Sequence, residues 1–260
     1  MMGRPDPVLG TEGLAVRVGG RALVQGLDLR LQAGQFWCLL GPNGAGKTLL
    51  LNTLCGARPP AAGVVKVAGR ALADWPPLEL ARWRGHAPQQ VHDAFSQPVL
   101  AVVLQGRHPH LSRWQWEGEA DLDLARSALA RVGLAGFEQR DVTTLSGGER
   151  QRVVLATLLV QQAPLLLLDE PLAHLDLAQQ LQMLDLLTDE VAARQTAVLM
   201  SVHDLSLAQR VASHVLLLAG NGQAVAGPAA EVMTEARLSA AFGHVLHRVP
   251  AQGRIWWLPA

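Results

Sequence analysis

Tyrosine is absent from this 260-residue sequence, and cysteine and lysine occur only twice each. The two cysteines, Cys38 and Cys55, lie in apolar surroundings and form no CxxC pair. That argues against a disulfide framework or a thiolate zinc site and fits a reducing compartment. Long apolar runs are also missing. Stretches such as Leu165 to Leu168 and Val153 to Ala156 fall far short of the ~20 apolar residues a membrane-crossing helix needs. The N-terminal MMGRPDPVLGTEG has no apolar h-region, so no secretory signal is expected. Any membrane connection must then run through a partner. An excess of one charge is lacking as well: Lys+Arg and Asp+Glu are both 22. Nothing points to a polyanion held by bulk charge, and nucleic acid is not an expected partner. With basic side chains almost all arginine, the compact charges of Lys47 and Lys66 stand out.

What is present suits a folded α/β chain. Hydrophobic residues make up 49% and charged residues 17%, ample for a buried core. Leu27 to Leu31 (LDLRL) alternates with period two, as a half-buried strand does. Gln35 to Leu40 (QFWCLL) reads as a more buried strand, followed by a Gly-rich loop and a helix over Lys47 to Cys55. Val64 to Val67 is a short strand ahead of Gly69. From about Pro88 to Gln162 the pattern turns helical, with helices expected around Arg126 to Val132 and Glu149 to Leu159 and Trp-containing loops between. Strand-like runs return at Leu165 to Leu168, Ala197 to Val202 and Val215 to Ala219. This βα alternation predicts a mainly parallel sheet.

Residues Gly41, Pro42, Asn43, Gly44, Ala45, Gly46, Lys47 and Thr48 spell GPNGAGKT, which fits G-x-x-x-x-G-K-[ST]. Gly44 and Gly46 lack a Cβ, so the backbone can approach an anion closely and point its N–H groups inward. The helix that follows presents its positive end to the same anion. Lys47 can reach β- and γ-phosphates, and the Thr48 hydroxyl can ligate Mg²⁺. The run LLLLDE from Leu165 to Glu170 then places two carboxylates at the end of a buried strand, where α/β proteins bind ligands. Asp169 is expected to hold Mg²⁺ through water, and Glu170 to polarise the water that attacks the γ-phosphorus. Leu145 to Arg152 reads LSGGERQR. Ser146 is a good N-cap, with Glu149 three residues on as in a capping box. Gly147 and Gly148 each cost ~1 kcal/mol in a helix, which makes sense if something must approach the backbone, and a phosphate fits.

GPNGAGKT, LSGGERQR and LLLLDEP in this order resemble the ATP-binding-cassette family, over about Leu14 to Gly227. The resemblance implies an α/β fold: a P-loop NTPase (RecA-like) core with a mainly parallel sheet, an N-terminal antiparallel β subdomain and an inserted α-helical subdomain. It implies one domain over 8–260, with 8–87 and 163–260 as the nucleotide-binding core and 88–162 as the helical signature subdomain. Gln89 in HAPQQ is similar to the Q-loop glutamine, a Mg²⁺ ligand and link to the membrane subunits; Gln90 is the less favoured choice. His174-Leu175-Asp176 resembles the D-loop, with Asp176 toward the nucleotide. His203 resembles the switch histidine that contacts the γ-phosphate. The family usually stacks an aromatic residue on adenine, and the matching place here is Val18, with Arg17 beside it. Val18 is expected to pack against the ring, or Arg17 to stack its guanidinium.

The resemblance also implies ATP and Mg²⁺ as cofactors. It implies a head-to-tail homodimer in which Ser146, Gly147 and Gly148 of one copy meet the γ-phosphate of the other. Two transmembrane permease subunits would complete the assembly, and a periplasmic substrate-binding protein would act indirectly. The chain would sit at the cytoplasmic face of the inner membrane. PVLAVVLQGRHPHL, through Gly106, Arg107, Pro109 and His110, is similar to a segment of importers for ferric siderophores, haem and cobalamin. Three alternatives stand beside that reading. An ordinary helix end stopped by Pro109 is one, and a metal site at His108 and His110 is a weaker second. An importer ATPase for another substrate class, or a non-transport cassette, is the third. Trp256 and Trp257 are expected to cover the core or an edge strand.

Overall fold

Every residue of Phe36–Leu40 is buried, because strand alternation sends Trp37 and Leu39 to one side of a sheet and Phe36, Cys38 and Leu40 to the other. A strand covered on both faces reads as a continuous apolar run. Each large side chain so buried contributes roughly 1.5–3 kcal/mol. The computed structural model of the chain describes residues 6–90, 95–112, 114–251 and 253–260. Residues 1–5 of the N-terminal segment and Arg113 in the Trp-containing loop lie outside them.

In chain order, β1 (Leu9–Val18), β2 (Arg21–Leu27) and β3 (Arg30–Leu31) precede β4 (Phe36–Leu40), and α1 (Lys47–Leu54) follows the Gly-rich loop. β5 (Ala62–Val67), β6 (Arg70–Ala71), α2 (Pro77–Trp83) and β7 (Arg84–Ala87) come next. The helical block holds α3 (Val99–Leu104), a 3₁₀ segment Gln105–His110, α4 (Glu119–Arg131) and α5 (Gly147–Gln161). The chain then runs through β8 (Leu165–Leu168), α6 (Leu177–Arg194), β9 (Ala197–Ser201), α7 (Leu205–Val211), β10 (His214–Leu218) and β11 (Ala224–Pro228). It closes with α8 (Ala229–Val232), α9 (Glu235–Phe242) and the hairpin β12 (Leu246–Ala251) and β13 (Arg254–Pro259).

The central sheet has the order β11-β10-β4-β9-β8-β7 and is parallel except for β11. A separate antiparallel sheet, β2-β1-β5-β6 with β3 on β1, packs over α1 and one sheet face. The helical block packs on the other face. β7 and β8 are hydrogen-bonded neighbours, Arg84 opposite Leu165, so the block between them is an excursion from adjacent strands. No helix among the described residues is long and apolar enough to cross a membrane.

One strand expectation needs correction. Leu27 to Leu31 keeps its alternating burial but is not one strand. The ladder breaks because Leu29 N–H donates to Thr11 Oγ1 at 2.9 Å and Gly13 N–H donates to Asp28 Oδ1 at 2.6 Å. Side-chain acceptors there take the place of ladder partners. Of the tryptophans, Trp257 joins the core while Trp256 on the other face of the hairpin is 44% exposed. Both cysteines are free and buried, and burial pushes the Cys38 thiol well above its usual range. That keeps it protonated and inert.

Candidate functional site

Four parallel strands deliver the polar residues to one rim of the sheet. β4 ends at the Gly-rich loop, β7 leads to Gln89, β8 to Asp169 and Glu170, and β9 to Ser201 and His203. This is where ligand chemistry collects in open parallel sheets. A pocket of about 410 Å³ opens there, lined among the described residues by Val18, Arg21, Leu23, Asn43, Gly44, Gly46, Lys47, Thr48, Leu49, Gln89 and Glu170.

The loop is shaped by its glycines. Gly46 caps α1 at φ 99, and a Cβ there would come within 3.0 Å of Leu23, so both the angle and the space demand glycine. A Cβ at Gly44 would meet nothing within 4 Å, so that position opens onto the pocket. Ala45 is buried beneath. Lys47 is 6% exposed, and its Nζ donates to the carbonyls of Gly41 at 2.8 Å and Pro42 at 3.3 Å. Burial lowers its pKa, and Glu170 and Asp169 oppose that shift, which brings cation and carboxylates into one electrostatic unit.

The carboxylates are held firmly. Asp169 is 2% exposed, and Ser201 Oγ donates to its Oδ1 at 2.7 Å. The same hydroxyl accepts from Glu170 N–H at 2.7 Å. Glu170 has φ 49, a left-handed conformation that costs a non-glycine residue ~1–2 kcal/mol. Its carboxylate is gripped from both sides: Gln89 Nε2 donates to Oε2 at 3.0 Å, and His203 Nε2 lies 2.7 Å from Oε1. Thr48 and Gln89 line the pocket, and Asp169 is buried at the end of an adjoining strand; their hydroxyl, amide and carboxylate oxygens are the hard donors that Mg²⁺ prefers, so the residues fit that ion.

Ser146, Gly147, Gly148 and Asp176 are not among the residues lining this pocket. Ser146 N-caps α5, with reciprocal bonds to Glu149, and stands exposed with Gly147. Asp176 N-caps α6, accepting from Gln179 N–H at 2.8 Å. Gly148 has a reason inside the chain: a Cβ there would sit 3.0 Å from the His174 carbonyl and 3.2 Å from Leu175. The segment around Gly106 is structural as well. Arg107 bridges Asp121 at 2.7 Å and reaches the Val160 carbonyl, while His110 Nε2 lies 2.7 Å from the Gln161 carbonyl. His108 faces Glu117, and no group of three metal-ligating His, Cys, Asp or Glu occurs among the described residues. Sequence reasoning missed Ser201 and Arg21. Ser201 closes an apolar run two residues before His203 and looks like a strand end.

Residues 24–173 match the model of the family described as ABC transporter, more than half of the 260 residues. The chain belongs to the ABC transporter family. This ABC cassette is 43% identical over 249 residues to the hemin import ATP-binding protein of Streptomyces coelicolor, covering 95% of this chain and 87% of that protein. It is 38% identical over 234 residues to the cobalamin import ATP-binding protein of Halobacterium salinarum, covering 90% of this chain and 58% of that one. Among solved structures, a chain from a transporter described as metal-chelate type, in an inward-facing conformation, matches the cassette with a TM-score of 0.83 at 28% identity. The match covers 97% of each chain. A nucleotide-free ATP-binding cassette shares the fold with a TM-score of 0.74 at 21% identity, covering 90% of this chain and 94% of that chain.

Proposed function

We propose that this chain is the ATP-hydrolysing subunit of an importer for an iron complex, haem or cobalamin. The observation that carries the reading is the Glu170 carboxylate, held between Gln89 and His203 in the pocket that contains Lys47. The hemin and cobalamin import relatives support the cargo class. Within the Gly106–His110 segment, Arg107 and His110 turn onto the end of α5, while His108 faces Glu117.

In this reading the loop N–H groups and the Lys47 ammonium take the phosphate oxygens. Lys47 exchanges the Gly41 and Pro42 carbonyls for stronger charge-assisted partners. Thr48, Gln89 and Asp169 would hold Mg²⁺, which neutralises phosphate charge when bound. Glu170 orients the attacking water and accepts its proton as the water oxygen bonds to the γ-phosphorus. The bond to the bridging oxygen breaks, leaving ADP and phosphate. His203 and Gln89 fix the angle of that carboxylate and sense the γ-phosphate.

Ser146 and Gly147 stand exposed on the end of α5, away from their own chain's pocket lining. A second copy, related by a two-fold axis, would present them to the γ-phosphate and complete two sites. Closure and reopening of that homodimer would move two permease subunits at the cytoplasmic face of the inner membrane, fed by a periplasmic binding protein. Residues 88–162 are the helical subdomain in this scheme. Glu170→Gln is expected to keep Mg-ATP binding, lose turnover and accumulate as a dimer by light scattering. Unchanged turnover would remove Glu170 from the role of base.

A further inference from the structure

The phosphate end of the pocket is furnished by the Gly-rich loop and the start of α1, with Lys47, Thr48 and Leu49, together with Gln89 and Glu170, and the rest of its wall comes from the β1–β2 hairpin. A nucleotide with its phosphates on the loop has only that hairpin wall for its base. The wall carries no aromatic ring: Val18, Arg21 and Leu23 supply it. Leu23 is 3% exposed and committed to packing beside Gly46. Val18, 44% exposed, offers a small apolar face. Arg17 is not among the pocket's lining residues, and its carbonyl accepts from the Arg58 guanidinium.

Arg21 sits opposite Val18 in the hairpin register. Its Nη2 donates to the Gly220 carbonyl at 2.6 Å. Gly220 in turn lies against the phosphate loop, where a Cβ would stand 3.8 Å from Pro42 and 4.0 Å from Ala45. The 219–223 turn is tied to β2 by Gln25 N–H to Gly222 O at 3.0 Å and by the Val24–Gly222 bridge. The guanidinium is thus fixed relative to the phosphate loop by a hydrogen bond in its own plane. Such a bond orients the group without covering its flat faces, and those faces stack on aromatic rings.

We propose that Arg21 is the base platform of this pocket, its guanidinium stacking on the purine ring while Val18 packs beside it. This rests on the reading of the pocket as an ATP site. The test compares two probes on the full-length chain by calorimetry: the non-hydrolysable Mg-adenylyl imidodiphosphate and inorganic tripolyphosphate. Arg21→Ala is expected to weaken the nucleotide roughly 2- to 30-fold, the span of a cation–π contact, and to leave tripolyphosphate unchanged. Arg21→Lys, which keeps the charge and loses the plane, is expected to recover less than half of that free-energy loss. Adding Val18→Tyr to Arg21→Ala is expected to restore nucleotide affinity. An equal loss for both probes would make Arg21 a phosphate ligand and overturn the proposal, as would no loss for either. A wild-type chain that binds neither probe would instead overturn the pocket reading beneath it. Matching far-UV circular dichroism of the variants excludes misfolding as the cause.

Discussion

Removing one buried hydroxyl should unsettle both carboxylates of the site. Ser201 is 1% exposed, and its Oγ donates to Asp169 Oδ1 and accepts from Glu170 N–H, each at 2.7 Å. Ser201→Ala deletes both bonds and offers no substitute donor to a carboxylate that is itself 2% exposed. A hydrogen bond to a charged partner contributes about 1.5–3 kcal/mol and a neutral one about 0.5–1.5 kcal/mol, so the variant should lose roughly 2–4.5 kcal/mol. The missing bond also frees Glu170 to leave its left-handed conformation. Misplacing a reacting group by about 1 Å can cost on the order of 100-fold in rate. Urea unfolding followed by tryptophan fluorescence should show a lower midpoint with unchanged slope. Steady-state ATP hydrolysis should show kcat down about 10- to 100-fold. A loss under ~1 kcal/mol together with unaltered kcat would refute the claim that Ser201 braces these carboxylates.

Gly106→Ala would place a Cβ 2.3 Å from the Thr157 carbonyl and 3.1 Å from Gln161 N on α5, so the 3₁₀ segment and that helix must part. The expected cost is at least ~1–3 kcal/mol, measured by urea unfolding. Asp121 has its pKa depressed, first by the Gly118 backbone N–H and then by the Arg107 guanidinium. Its stabilisation is therefore present above the unfolded value near 3.8 and is lost as pH falls through the lower folded value. Asp121→Asn should be less stable than wild type at pH 7, with the gap closing on acidification below pH ~4; a gap constant with pH would exclude this linkage.

The residues that carry chemistry were largely legible because their constraints are local. An anion-binding loop needs glycines and a lysine at fixed offsets, and a strand buried on both faces, such as Phe36–Leu40 or Leu165–Leu168, needs an apolar run. Where tertiary partners decide, the signal is faint. β7 reads RGHA and is an edge strand with Arg84 and His86 half-buried, so no periodicity marks it. Ser201 and Arg21 act through groups 32 and 199 residues away in sequence, which no short pattern encodes. The split of Leu27 to Leu31 depends on the Thr11 hydroxyl from another strand, again beyond local reading.

The helical excursion leaves the central sheet after β7 and rejoins it at β8, the strand next door. A body suspended from two attachment points side by side can swing about the line joining them while every rung of the ladder stays made. Besides apolar packing, polar ties oppose that swing: Arg131 at the end of α4 grips Glu190 on α6 at 2.7 Å, and Gln161 Nε2 on α5 donates to the Ala81 carbonyl at 2.6 Å. The hanging helices and the sheet thus meet through a shared apolar core and a few polar ties, so a swing of the helices has to slide that core and need not break the ladder.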